Sequence, residues 1–249
     1  MAKGALKKAK EKVQGLVGPG ALMVDFIENS VLWRREDCPF KAYVEHGHER
    51  VVLVAGPNAS GKSFLATCVQ SWGSGHAGTR SMSVSIRERT GSGTHEMADM
   101  RRAMMFGSEE KHSTGAVSAS VVQRAFGSVE SWSKDGIKTL LLLDEPEMGL
   151  SEGFGYGMGE LIGREAAKLH QAAFGVIVVS HSRALGKGLA KGLGAQPSFA
   201  STGEALSFKD WCAREEQMSA DQLVELGSKD LSGFRCVNAM LEAMKSKKR

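Results

Sequence analysis

Residues 51–66 read VVLVAGPNASGKSFLA. The first five are apolar and mostly β-branched, the composition of a strand buried inside a parallel sheet. Gly56-Pro57-Asn58-Ala59-Ser60-Gly61-Lys62-Ser63 follows, in the form G-x-x-x-x-G-K-S. Glycines let backbone N–H groups turn inward as an anion nest at the start of a helix. Lys62 adds a mobile cation suited to β- and γ-phosphates, and Ser63 a hydroxyl suited to Mg²⁺. Residues 63–70 read as a helix, so the pattern has the strand–loop–helix setting that gives it meaning. The cofactor-binding segment is predicted to comprise Gly56, Pro57, Asn58, Ala59, Ser60, Gly61, Lys62, Ser63 and Phe64, with ATP and Mg²⁺ as its ligands.

Working outward, residues 139–150 read TLLLLDEPEMGL. Four leucines predict a buried strand that delivers Asp144 and Glu145 at its carboxyl end, where open α/β sheets place their ligands. Asp144 is a candidate Mg²⁺ ligand. Glu145, one residue on, points differently and is a candidate for polarising an attacking water. Residues 176–185, VIVVSHSRAL, form another apolar strand ending at Ser180 and His181. A histidine on that edge can donate a hydrogen bond to a γ-phosphate. The catalytic set predicted from the residues is Lys62, Glu145 and His181.

The order GPNASGKS, LLLLDEP, VIVVSH resembles the ABC-class ATPases, across roughly residues 45 to 185. The resemblance implies a Walker A loop, a Walker B strand ending in D-E-P, and a switch histidine. It also implies a signature segment upstream of Walker B, at His112-Ser113-Thr114-Gly115-Ala116. There only Ser113 and Gly115 keep the family residues, and Arg124-Ala125-Phe126 follows where the family commonly has R-A-L. In the family that serine and glycine meet the γ-phosphate held by the other subunit. The resemblance therefore implies an ATP-dependent homodimer with Ser113 and Gly115 acting in trans.

The sequence departs from the family in three places. The only glutamine between Lys62 and Ser113 is Gln70, still on the helix after the loop, so no Q-loop glutamine is evident. The short span from Lys62 to Ser113 implies a reduced helical subdomain, which argues against a separate membrane subunit. Asp144-Glu145-Pro146-Glu147 resembles the soluble, DNA-maintenance members, and Ser151 stands where an acidic D-loop residue is usual. The implied function is an ATP-hydrolysing, nucleotide-gated dimer switch of the soluble class. A transporter's nucleotide-binding subunit and a nucleotide-gated binding module with little turnover are the alternatives. An adenine-stacking aromatic usually precedes the loop in this family. Phe40 and Tyr43 are the candidates, with a core role the competing reading for each.

The chain has 249 residues, 42% hydrophobic and 24% charged, enough apolar content for an α/β core. No apolar run approaches the roughly 18–20 residues of a membrane helix. The basic N-terminus lacks an apolar signal region. These features predict a soluble, cytoplasmic protein. Cys38, Cys68, Cys212 and Cys236 are widely spaced, which predicts reduced thiols and neither zinc nor disulfides. Net charge is +4, with lysines crowded at both ends; such tails suit contact with DNA or RNA, or are simply solvated.

The expected fold class is α/β: a P-loop NTPase with a mainly parallel central sheet flanked by helices. A basic lead is predicted over 1–20, ending in a Gly-Pro-Gly turn. The ATPase domain is predicted over 21–200, with 71–135 the signature-bearing insert. A helical extension with a basic tail follows over 201–249. Strands are expected at 51–55, 81–86, 103–106, 139–143 and 175–179, with another short one after 197. Helices are expected at 63–70, 117–126, 159–173, 210–216 and 237–244.

Overall fold

The computed structural model describes residues 16–85, 114–148, 150–151 and 153–214, and, near the C-terminus, residues 219, 221, 235–237, 239–240 and 242. The expected strand at 103–106 lies outside them, as does Ser113. Four apolar runs become the strands that organise the rest. They are β2 (His48–Ala55), β4 (Thr139–Asp144), β5 (Gly175–Val179) and β6 (Pro197–Thr202). Each is buried along most of its length, as strands covered on both faces must be. With β1 (Ala42–Glu45) and β3 (Arg80–Ser85) they form a six-stranded sheet in the order β1-β6-β2-β5-β4-β3. All neighbouring pairs are parallel except β1 with β6.

The period of two along each strand divides the core into two layers. Val51, Leu53, Leu141, Leu143, Val176 and Val178 face one side. There they meet α3 (Thr114–Lys134), α4 (Phe154–Ala167), α5 (Arg183–Leu193) and α6 (Phe208–Ala213). Val52, Val54, Leu140, Leu142, Ile177 and Val179 face the other. They meet α1 (Pro19–Asn29), α2 (Lys62–His76) and the C-terminal residues Val237 and Met240. The fold is thus α/β with a mostly parallel sheet between two helical layers.

Several boundaries differ from the sequence-based expectation. Gly18-Pro19-Gly20 is not the end of a loose lead. Gly18 adopts a left-handed φ of 89° as the N-cap of α1, Pro19 takes a first-turn position, and both Pro19 and Gly20 are buried. Proline suits that place because its missing N–H is not needed there. Helix α4 begins and ends earlier than residues 159–173; its Gly155, Gly159 and Gly163 lie against α5 rather than breaking the helix. Residues 168–174 form a turn whose carbonyls at Leu169, His170 and Ala173 all accept from the Arg50 guanidinium. Helix α3 extends well past 117–126 on both sides. Among the described residues no helix is long and apolar enough to cross a membrane. All four cysteines are free thiols.

Candidate functional site at the carboxyl end of the sheet

The strand order sets the geometry. β5 lies between β2 and β4, and all three run parallel. Their carboxyl ends therefore present three loops side by side: 56–61 after β2, 145–148 after β4 and 180–182 after β5. Backbone bonds fasten these exits together. The Glu145 N–H donates to the Val179 carbonyl at 2.9 Å, and the Ser180 N–H to the Val54 carbonyl at 3.0 Å.

The 56–61 loop is held by its own polar atoms. Ser60 Oγ donates to the Pro57 carbonyl at 2.7 Å and is hydrogen-bonded to Thr202 Oγ1 at 2.5 Å. Lys62 is buried and folds back, its Nζ donating to the carbonyls of Gly56 (3.0 Å) and Pro57 (2.7 Å). Gly61 caps α2 at φ 85°, and a Cβ there would lie 2.6 Å from the Phe40 ring. Gly56 is equally enclosed: its Cβ would meet Thr202 Oγ1 at 2.3 Å. Helix α2 thus starts with its first-turn N–H groups on the loop side, the usual setting for an anion.

Ser63, in the first turn of α2, donates through Oγ to Asp144 Oδ1 at 2.9 Å. A hydroxyl and a carboxylate oxygen so placed fit a small hard cation that keeps water and phosphate oxygens as its other ligands. Among the described residues no cluster of three or more His, Cys, Asp or Glu forms an all-protein metal cage. Glu145 is buried and sits at φ 51°. With Ala59 (φ 63°) it is one of two non-glycine residues at positive φ among those described, and both border this site. Backbone strain of this kind gathers where side chains are aimed for a task.

Glu145 Oε1 lies 3.7 Å from His181 Nδ1, an ion-pair separation rather than a hydrogen bond. The Glu145 carboxylate raises the imidazole above its ordinary value, and Glu147 adds to this, against burial and the Lys62 cation. His181 itself is half-exposed and looks into a cleft of about 270 Å³ bordered by Asn58, Arg183, Thr202, Trp211 and Arg214. Trp211 is a packing anchor at the floor of that cleft. Its ring lies against Phe199 at 5.5 Å, and its carbonyl accepts from Arg183 Nε at 3.1 Å.

The structure therefore brings Gly56, Gly61, Lys62, Ser63, Asp144, Glu145 and His181 together. It does so from three segments far apart in sequence. Phe64 belongs to an aromatic layer, stacked on Trp33 at 5.7 Å and beside Phe40 at 5.6 Å. Phe40 is buried in that layer, whereas Tyr43 is exposed on β1. Gly115 falls in the first turn of α3. Gln70 is buried, joining α2 to β3 by donating to the Met82 carbonyl and accepting from Ser83 Oγ.

Two residues that the sequence names but gives no role, Glu147 and Ser180, also belong to the site. Glu147 is buried behind Glu145, and its Oε1 accepts from Ser180 Oγ at 2.5 Å. Ser180 Oγ also accepts the Ser182 N–H at 2.9 Å. Burial pushes the Glu147 carboxyl above the usual carboxylate range, against the opposing pull of the Ser180 hydroxyl. The available signal was a second acid after Asp144-Glu145-Pro146 and a hydroxyl just before His181. No protein-family model matches the chain, and no curated protein matches it.

Proposed function

We propose that the chain binds ATP with Mg²⁺ and hydrolyses it, as a soluble ABC-class switch in which nucleotide joins two copies. The observation that carries this reading is the hydrogen bond from Ser63 Oγ to Asp144 Oδ1. It joins the loop-bearing helix to the acidic strand end at the point where a phosphate-bound cation needs both oxygens. Ser63 and Asp144 would hold Mg²⁺, which would supply charge neutralisation on the phosphates. The residues do the rest. Lys62 exchanges its loop carbonyls for phosphate oxygens, so its charge is already oriented before ligand arrives. Glu145, fixed by its backbone bond to Val179, orients the water for in-line attack. His181 donates from the opposite loop to the terminal phosphate. Pre-set dipoles and cations supply most of the rate gain in such a site.

Two measurements test this. Wild-type protein should bind ATP in the presence of Mg²⁺ and release phosphate, with turnover per subunit rising with protein concentration. Glu145→Gln should cut phosphate release by about 10²-fold or more while retaining ATP and accumulating as a dimer in size-exclusion chromatography. Normal turnover by Glu145→Gln removes Glu145 from the mechanism, and absence of Mg-ATP binding by the wild type removes the proposal. The basic tails make nucleic acid the first candidate for what the switch acts on. Stimulation of phosphate release by DNA or RNA that fades steeply with salt supports that output, and no stimulation at low salt discards it.

A further inference from the structure

The third carboxylate of Asp144-Glu145-Pro146-Glu147 has no part in the chemistry above, yet it is buried like Glu145. Glu147 is 8% exposed, and Ser180, its partner, is fully buried. A carboxylate taken from water must be compensated by hydrogen bonds or charge. One oxygen is met by the Ser180 hydroxyl, while Oε2 has no hydrogen-bond partner. A group held at such cost calls for a role in placing something else.

Its contacts say what is placed. The Glu147 carbonyl accepts the Leu150 N–H and the Glu145 carbonyl accepts the Met148 N–H, so Glu147 is fixed within the turn that carries Glu145. Its side chain reaches across to Ser180, whose hydroxyl in turn accepts the Ser182 N–H and shapes the bend that carries His181. A single side chain thus joins the two turns bearing the Glu145–His181 pair. It does so on the buried side, leaving His181 open to the cleft.

We propose that Glu147 is a positioning residue: through Ser180 it fixes the His181 turn against Glu145 so that both side chains meet the same terminal phosphate. This rests on the ATPase reading of the site. The electrostatic consequence follows the same geometry. Among the charged groups facing His181 are Glu145 and Glu147 from the β4 turn, Lys62 from the loop helix, and Arg183, Glu204 and Arg214 from the cleft wall. Glu145 and Glu147 are the buried carboxylates among them.

The test compares Glu147→Gln, Glu147→Ala and Ser180→Ala in the full-length protein. Glutamine keeps an acceptor for the Ser180 hydroxyl; alanine and Ser180→Ala break the bond from either side. Glu147→Ala and Ser180→Ala should each lower kcat by about tenfold to a hundredfold, the usual loss when support behind a working group is removed. KM for Mg-ATP should stay within about twofold, because the phosphate loop is untouched. Glu147→Gln should recover most of that kcat. Independently of ATP hydrolysis, Glu147→Gln should lower the titration midpoint of the His181 imidazole, followed by NMR in nucleotide-free protein. A loss of kcat no larger than the loss of folded fraction in urea titrations overturns the proposal. So does a glutamine variant as impaired as alanine, or a His181 midpoint that Glu147→Gln leaves unmoved. If the wild type fails to hydrolyse ATP, the ATPase reading falls, and the imidazole titration still decides whether Glu147 acts on His181.

Discussion

The two faces of the sheet are packed by opposite means. On one, helices α1 and α2 are joined by large rings: Trp72, Phe26, Trp33, Phe64 and Phe40 form a chain of edge-on, tilted and stacked contacts. On the other, α4 and α5 meet almost backbone to backbone. A Cβ on Gly159 would lie 2.0 Å from the Leu185 carbonyl oxygen, and one on Gly188 2.0 Å from that of Tyr156. Gly163 and Gly192 repeat the pattern a turn further along. The aromatic face is built from volume, which side chains can redistribute. The glycine face is built from the absence of volume, which nothing can redistribute. The second face is also the one that anchors the working turns, since α4 follows the turn of Glu145 and Glu147, and α5 follows His181. Direct helix contact ties those turns through backbone, alongside the Glu147–Ser180 side-chain bond.

The sharpest way to break this difference is a single methyl group. Gly159→Ala and Gly188→Ala each place a Cβ where only backbone lies, so the helices must separate. We expect a loss of about 3 kcal/mol or more, at the upper end for overpacking, measured by urea denaturation. The loss should be accompanied by reduced turnover in the surviving folded fraction, because the His181 turn moves with α5. A stability change under about 0.5 kcal/mol for both contradicts the backbone-to-backbone contact.

This contrast also explains what the sequence displayed and what it hid. The 56–63 loop was legible because each of its physical demands falls on an adjacent residue: glycines for backbone turns, lysine for charge, serine for a hydroxyl. The central strands were legible because burial on both faces writes itself as an uninterrupted apolar run. Helix α4 was misplaced because Gly155 and Gly157 read locally as breakers, whereas glycine on this helix also serves a neighbour, α5, that sequence periodicity cannot see. Helix α1 was missed for a related reason, since Gly18-Pro19-Gly20 is as good a cap as it is a turn. Glu147 was named but given no task, because Ser180, the partner that defines it, lies 33 positions away.

The aromatic face should give a milder answer to a larger change. Phe40 is buried between Phe64 and Gly61, where its ring fills the space a Cβ on Gly61 would take. Phe40→Leu removes several atoms yet leaves an apolar group that Trp33 and Phe64 can close around. We expect a cost of about 1–1.5 kcal/mol in urea denaturation, the range for volume-altering apolar swaps that can repack. A cost equal to that of Gly159→Ala would mean that the two faces are equally rigid and that the comparison fails.

The smallest effect carries the most specific control. Gly157 lies on α4 between Gly155 and Gly159, but on the outer side, and a Cβ there would meet nothing within 4 Å. The same substitution should therefore have opposite signs on the two faces of a single turn. Gly157→Ala removes conformational freedom from the unfolded chain and adds no clash, so it should stabilise by about 0.5–1 kcal/mol. Gly159→Ala makes the identical gain in propensity and loses it many times over to the Leu185 carbonyl. If both substitutions destabilise, α4 does not tolerate alanine for a reason unrelated to α5. If both stabilise, the helices are not in contact. Only opposite signs, read in one urea titration series, fit a helix with one face closed by backbone and the other open to water.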